Sequence, residues 1–211
     1  MKTLYAAIAI AALGAAGGAM ARPVSYPGGW TLWAQRDEAA ASLLVHYTPH
    51  RAYSVGLRVE EEAAHTRTRT QLVLTWLALR RNERHAQANL YLRGALGQAD
   101  GHGGSETAAD AEIMADWETR RLFASLSGRL ISEGDGSGEA KARVGLAPYV
   151  GDFGDLHTWL MLEADWKPDR PDRDGGPLIA RPLVRFFRGV HLLELGASTE
   201  GEVFAAYILR L

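Results

Sequence analysis

The chain has 211 residues, no cysteine, and a formal charge of −2 from 23 basic and 25 acidic side chains. That balance gives no reason to expect a nucleic-acid partner, and without cysteine no disulfide or thiol chemistry can hold or activate the fold. The length suits a single domain.

The chain opens Met1-Lys2-Thr3, followed by an apolar run from Leu4 to Ala16 and a small-x-small ending at Ala19 and Ala21. One positive charge, a short hydrophobic stretch and that ending predict a secretory signal peptide over 1–21, cleaved before Arg22. The run is too short and too rich in Ala and Gly for a membrane-spanning helix, which needs about 20 apolar residues. Removing 1–21 leaves 190 residues and a formal charge of −3, because Lys2 leaves with the leader. Residues 22–29, with two prolines and two glycines, read as a periplasmic segment in or beneath the barrel opening, where it can act as a plug.

From residue 30 onward the chain alternates with a period of two. In 53–60, Tyr53, Val55, Leu57 and Val59 oppose Ser54, Gly56, Arg58 and Glu60. In 86–97, Ala88, Leu90, Leu92, Gly94 and Leu96 oppose Gln87, Asn89, Tyr91 and Arg93, and 109–118 repeats the pattern. Only a strand separates two such sets onto two faces. The pattern predicts about twelve strands: 30–36, 41–48, 53–60, 66–79, 86–98, 108–118, 121–131, 139–150, 156–167, 178–187, 190–198 and 203–211.

The connections alternate in length. Links 49–52, 82–84, 119–120, 151–154 and 188–189 are tight, whereas 61–65, 99–107, 132–138 and 168–177 are longer and polar. Short turns at one end and long loops at the other match the periplasmic and extracellular ends of an outer-membrane barrel. Pro148 and Pro182 fall inside predicted strands, where each marks a bulge or a strand end. Phe153 is expected to fold back over the barrel mouth.

Alternation alone fits a soluble barrel as well as a membrane one. Three features favour the membrane. The apolar rows hold many small residues, among them Ala109, Ala111, Ala115, Ala124, Gly128, Ala140 and Ala142, which fill a packed core poorly. Aromatic residues (Tyr47, Tyr53, Trp117, Trp166 and Tyr207) sit near the ends of apolar rows, as in interfacial girdles. The last strand carries an apolar row Val203, Ala205, Tyr207, Leu209 and Leu211, resembling the insertion signal of outer-membrane barrels, with Leu211 in place of the usual aromatic. The fold class expected is therefore all-β, an antiparallel transmembrane barrel of about 12 strands over 30–211.

In that orientation the lumen receives a mixed charged row: Arg58, Glu60, Arg67, Arg69, Arg93, Asp110, Glu112, Asp116, Glu118, Arg129, Lys141, Arg143, Glu163, Asp165, Lys167, Arg181, Arg185, Glu194 and Arg210. Such groups stay ionised only when wet or paired, so acids of the sixth and ninth strands are expected to meet bases of the fourth, eighth and tenth. Arg67, Arg69 and Arg93 on neighbouring strands would favour small anions.

Three stretches carry a resemblance: Pro23-Val24-Ser25-Tyr26-Pro27-Gly28-Gly29-Trp30, then Ser42-Leu43-Leu44-Val45-His46-Tyr47-Thr48-Pro49, and Ala147 through Trp159. Together they resemble an uncharacterised family of proteobacterial outer-membrane β-barrel proteins. The likeness covers most of the mature chain. It implies a barrel in the outer membrane, reached through the periplasm, and brings no catalytic residues with it.

Function is expected to be that of a passive narrow pore or an envelope-maintenance barrel, with no cofactor. Its partners would be outer-membrane lipid, the barrel-insertion machinery and small ions or solutes. One alternative is a lipid-facing hydrolase, because twelve strands is also the count of the outer-membrane phospholipases. The outward polar residues His191 and Thr158 have no suitable serine beside them, so the nucleophile and oriented base of a triad cannot be assembled. The other alternative is a surface or lumenal ligand-binding barrel, presenting the 168–177 loop or binding metal. His46, His157, Met114 and Met161 face the lumen and would suit copper or a similar soft ion, although the second and ninth strands lie almost opposite each other.

Overall fold

The computed structural model describes residues 23–62, 66–101, 103–133, 136–152, 154–168 and 176–211. The proposed leader, Phe153 and most of the 168–177 loop lie outside these residues.

Twelve strands form one closed antiparallel ring: β1 (Trp30–Arg36), β2 (Ala40–His50), β3 (Tyr53–Glu62), β4 (Arg67–Asn82), β5 (Ala86–Gly101), β6 (Gly104–Thr119), β7 (Leu122–Ile131), β8 (Ser137–Leu146), β9 (His157–Trp166), β10 (Leu178–Arg188), β11 (His191–Ala197) and β12 (Val203–Arg210). Each strand pairs with its neighbours in sequence, and β1 closes on β12 in the register Thr31↔Arg210 through Arg36↔Ala205. Closure removes the free sheet edges that a flat twelve-stranded sheet would leave.

The alternating pattern sorts the side chains. Leu57, Leu72, Leu74, Leu92, Leu96, Ile113, Leu126, Leu130, Val144, Leu160, Leu162 and Leu195 stand exposed on the outside. Their strand neighbours Arg58, Gln71, Tyr91, Asp110, Glu163 and Glu194 are buried within the ring. Buried apolar residues gather in two small clusters, Met161, Leu183, Phe204 and Ala206, and Leu44, Val73 and Ala95. This is an inside-out arrangement, with charge within and hydrocarbon without.

Exposed aromatics collect at the short-turn end. Trp30 and Tyr47 lie with ring centroids 5.2 Å apart, and Tyr53, Trp76, Trp117 and Tyr149 are exposed near them in height. At the long-loop end Trp166 holds the corresponding outward position.

Three expectations need correction. Residues 99–107 do not form a long loop. β5 runs to Gly101 and β6 begins at Gly104, paired through Gln98↔Thr107 and Asp100↔Ser105 to Gly101↔Gly104. Gly104 takes φ of 108°, a conformation that suits glycine and allows the tight turn. β8 ends at Leu146, so Pro148 lies beyond the strand. Pro182 lies inside β10 without a bulge in the β9 ladder, facing Leu162. Its missing donor falls where the β10–β11 ladder stops at Leu183↔Gly196, so it breaks no mid-sheet hydrogen bond.

Candidate functional site

The interior is a set of ion-pair networks built on alternate residues of successive strands. In the first network, Arg58 of β3 bonds Gln71 of β4 at 2.6 Å and pairs across the lumen with Asp110 of β6. Asp110 also accepts from Gln71 at 3.0 Å and from Arg129 of β7. Arg129 reaches back across the barrel to Glu60 of β3 at 3.2 Å. Higher in the wall, Arg69 pairs with Glu60 at 3.0 Å, with Glu62 at 2.9 Å and with Glu133. At the long-loop mouth Arg67 meets Glu133 at 3.0 Å and Glu106 at 3.2 Å.

The second network fills the opposite wall. Glu163, with a fully buried side chain, is shared by Arg143, Arg181 and Lys141. Arg181 is also fully buried; it donates to Glu38 at 2.6 Å and lies over the Phe204 ring, 4.9 Å from its centroid. Glu194 accepts from Arg143 at 2.9 Å and from Arg185 at 2.6 Å. Arg185 covers the Phe123 ring at 4.8 Å. Each guanidinium thus gains a carboxylate and an aromatic face, Arg143 standing 6.0 Å from the Phe204 ring, which offsets the cost of taking charge out of water.

Between the networks, Arg93 bonds Glu112 at 2.9 Å and Thr75 at 3.1 Å and stands 5.8 Å from the Trp33 ring. Asp116 accepts from Asn89 at 2.6 Å near the short-turn end. Arg58, Arg67, Arg69, Arg93, Asp110, Glu112, Asp116, Arg143, Glu163 and Arg185, all expected in the lumen, thus each have a partner there. Arg67 and Arg69 face carboxylates and not an open anion path.

A cavity of about 820 Å³ reaches the long-loop mouth, where Asp37, Glu38, Glu62, Ser137 and Glu139 line it. A second cavity, about 140 Å³, lies below it and is lined by Pro23, Tyr91, Asp116, Phe123, Arg185 and Ile208. Trp33, Gln35, Met114, Ser125, Ser127 and Arg143 line both and mark the neck between them. The N-terminal segment enters from below: Val24 is buried, and Ser54 Oγ donates to the Pro23 carbonyl at 3.3 Å.

The four metal candidates are not gathered. His46 is buried on β2, and His157 on β9 packs 6.0 Å from Phe187. Met161 belongs to the apolar cluster around Phe204, and Met114 lines the neck. Three carboxylates do converge at the mouth, Asp37, Glu38 and Asp165, with ligand atoms within 4.8 Å of one another. Lys167 Nζ stands 3.2, 3.3 and 3.3 Å from them, so an ammonium already occupies the cation position. Burial works against the charged Asp37, yet Lys167, Lys141 and the Ala39 and Ala40 amides outweigh it and hold the carboxyl below its usual value. Lys167 is held above its usual value, burial notwithstanding, by Asp37, Asp165, Glu139 and Glu38.

On the outer surface His191 Nδ1 lies 2.7 Å from the Tyr207 hydroxyl, and Thr158 lies 2.9 Å from Tyr149. Among the described residues no serine hydrogen-bonds His191, so no nucleophile–base pair forms there.

Asp37, Glu38, Gln71, Glu133 and Trp33 were not singled out by the sequence reading. Asp37, Glu38 and Glu133 sit in links, where a period-two pattern gives no signal. Gln71 and Trp33 were legible through the register they share with Arg69 and Thr31.

The sequence matches no protein-family model and no curated protein. Solved structures do match in shape. OccAB1 of Acinetobacter baumannii aligns over 82% of this chain and 57% of its own, at 8% identity and a TM-score of 0.45. A KdgM porin aligns over 86% and 97%, at 10% identity and 0.47. A chain from work on in-meso crystallization of membrane proteins aligns over 87% and 83%, at 10% identity and 0.49. The chain thus spans little more than half of the OccAB1 length.

Proposed function

We propose that this protein resides in the outer membrane as a narrow, passive pore with a charge-paired lumen. The observation that carries the reading is the inverted burial: ionised residues inside a closed ring, leucines and valines exposed around it. In water, so continuous an apolar exterior would drive association, whereas hydrocarbon accepts it without cost. A signal peptide over 1–21 and passage through the periplasm belong to the same reading.

The lumen sets what passes. A wide upper vestibule leads to a neck of neutral and paired side chains and then to a space of about 140 Å³. At about 30 Å³ per water, that lower space holds only a few molecules. Small ions and solutes fit this route and folded or bulky ligands do not. Because acids and bases face each other along the wall, discrimination by charge is weak.

The test is planar-bilayer recording on the refolded full chain. Small, voltage-insensitive steps with nearly equal anion and cation permeability are expected. Silence in every bilayer, from protein verified as inserted, overturns the pore. Recovery of the chain as a water-soluble monomer overturns the membrane reading as well.

A further inference from the structure

The short-turn rim differs in charge from the rest of the molecule. Inside the barrel, Arg58, Arg67, Arg69, Arg93, Arg129, Arg143, Arg181 and Arg185 all stand against carboxylates. At the short-turn end seven exposed arginines project from the turns and strand ends: Arg51, Arg80, Arg81, Arg84, Arg120, Arg121 and Arg188. Among the described residues only Arg81 of these has a carboxylate partner, Glu83 at 3.0 Å. Arg80 bonds the Asn89 amide, and Arg121 and Arg188 bond only the backbone carbonyls of Pro148 and Gly154. Arg51, Arg84 and Arg120 have no charged partner among the described residues. Of the acids at this rim, Asp155 is turned onto the Asp152 amide at 2.9 Å.

This positive collar lies directly below the exposed aromatics Trp30, Tyr53, Trp76 and Trp117. Tyr53 follows Arg51 by two residues, and Trp117 precedes Arg120 by three. Aromatic rings favour the headgroup level of a bilayer, so the guanidinium groups fall where phosphates lie. Guanidinium binds phosphate through two parallel N–H donors, and free arginines on turns have the reach to do so. The arginines inside the barrel stand against acids, whereas Arg51, Arg84 and Arg120 have none among the described residues, at a level where lipid supplies the anion.

We infer that the short-turn rim is a docking collar for anionic phospholipid headgroups, chiefly through Arg51, Arg84 and Arg120. The inference rests on the membrane reading above and adds a lipid preference that the pore itself does not require. The occupant is a phospholipid phosphate in the adjoining leaflet, held at the rim and not in the lumen.

The test reconstitutes the full chain in phosphatidylcholine vesicles and measures competition between spin-labelled phosphatidylglycerol and spin-labelled phosphatidylcholine for the protein's lipid shell. Insertion is checked separately by protease protection of the barrel. A basic residue near an anionic surface contributes about fivefold at low salt, so a preference of roughly three- to fivefold for phosphatidylglycerol is expected. High salt should weaken it. The triple variant Arg51→Gln, Arg84→Gln, Arg120→Gln should fall to near equality while staying inserted, and the corresponding triple lysine variant should keep most of the preference. Arg36→Gln, exposed at the opposite end, should change nothing. An inserted parent without preference, or a glutamine variant that retains it, overturns the collar. Failure of the parent to insert in any bilayer overturns the membrane reading and the collar together.

Discussion

Glu163 illustrates how much a single carboxylate carries inside this barrel. Its side chain is fully buried and pairs with Arg143, Arg181 and Lys141. Replacing Glu163 with Gln leaves Arg143 to Glu194, Arg181 to Glu38 and Lys141 to Asp165, which costs up to about 3–5 kcal/mol. The urea midpoint of the folded protein in lipid vesicles should drop accordingly, and an unchanged midpoint would refute the network's role. The mouth behaves differently with pH. Asp37 and Glu133 are both opposed by burial, yet their basic neighbours hold them below their usual values. A carboxyl lowered on folding stabilises fully above its unfolded value and loses that contribution as pH falls through the folded one. Acidification below about pH 4 should therefore loosen the long-loop mouth. The stability gap between the parent and Asp37→Asn should shrink from pH 7 to pH 3; a constant gap would count against the ion pair. Lys167, raised by Asp37, Asp165, Glu139 and Glu38 against the effect of burial, keeps its proton throughout that interval.

At the scale of strands, the period of two located all twelve, with most ends within a few residues. The misses have a common cause. The pattern is visible only while one face meets apolar surroundings. Gln98 to Gly101 and Gly104 to Thr107 carry no apolar row, yet the ladder continues through them because backbone pairing needs no side-chain contrast. β4 likewise passes an irregularity between Leu77 and Leu79 and continues to Asn82, three residues beyond the expected end. The partners within the lumen were less legible than the strands. Arg58 and Asp110 are 52 residues apart and Arg129 and Glu60 are 69, so their meeting depends on ring position and height, which alternation does not encode. Gly97 offers a test at this scale. A Cβ there would lie 1.9 Å from the Thr70 carbonyl oxygen and 2.7 Å from Gln71 Cα. Gly97→Ala must push β4 from β5 at about 1–3 kcal/mol, seen as a lower unfolding midpoint. An unperturbed midpoint would mean that the two strands are not so closely apposed.

For the whole molecule, Val24 is buried and Ser54 bonds the Pro23 carbonyl, both within or against the segment expected to act as a plug. Both lie on the lower cavity's side of the neck. Deleting 23–25 should raise single-channel conductance, and an unaltered conductance would limit the segment to a passive tether. Trp33→Ala, which opens the neck without touching that segment, provides the comparison.

The wall of the ring is uneven. β4, β5 and β6 each have 16 residues, whereas β1 and β11 have seven and β12 has eight. At about 3.4 Å per residue, β5 and β6 rise as a parapet at the long-loop end, facing a low sill where β11, β12 and β1 meet. Solutes arriving from that side enter most easily over the sill. There they pass Asp37 and Glu38, whose charge Lys167 already holds.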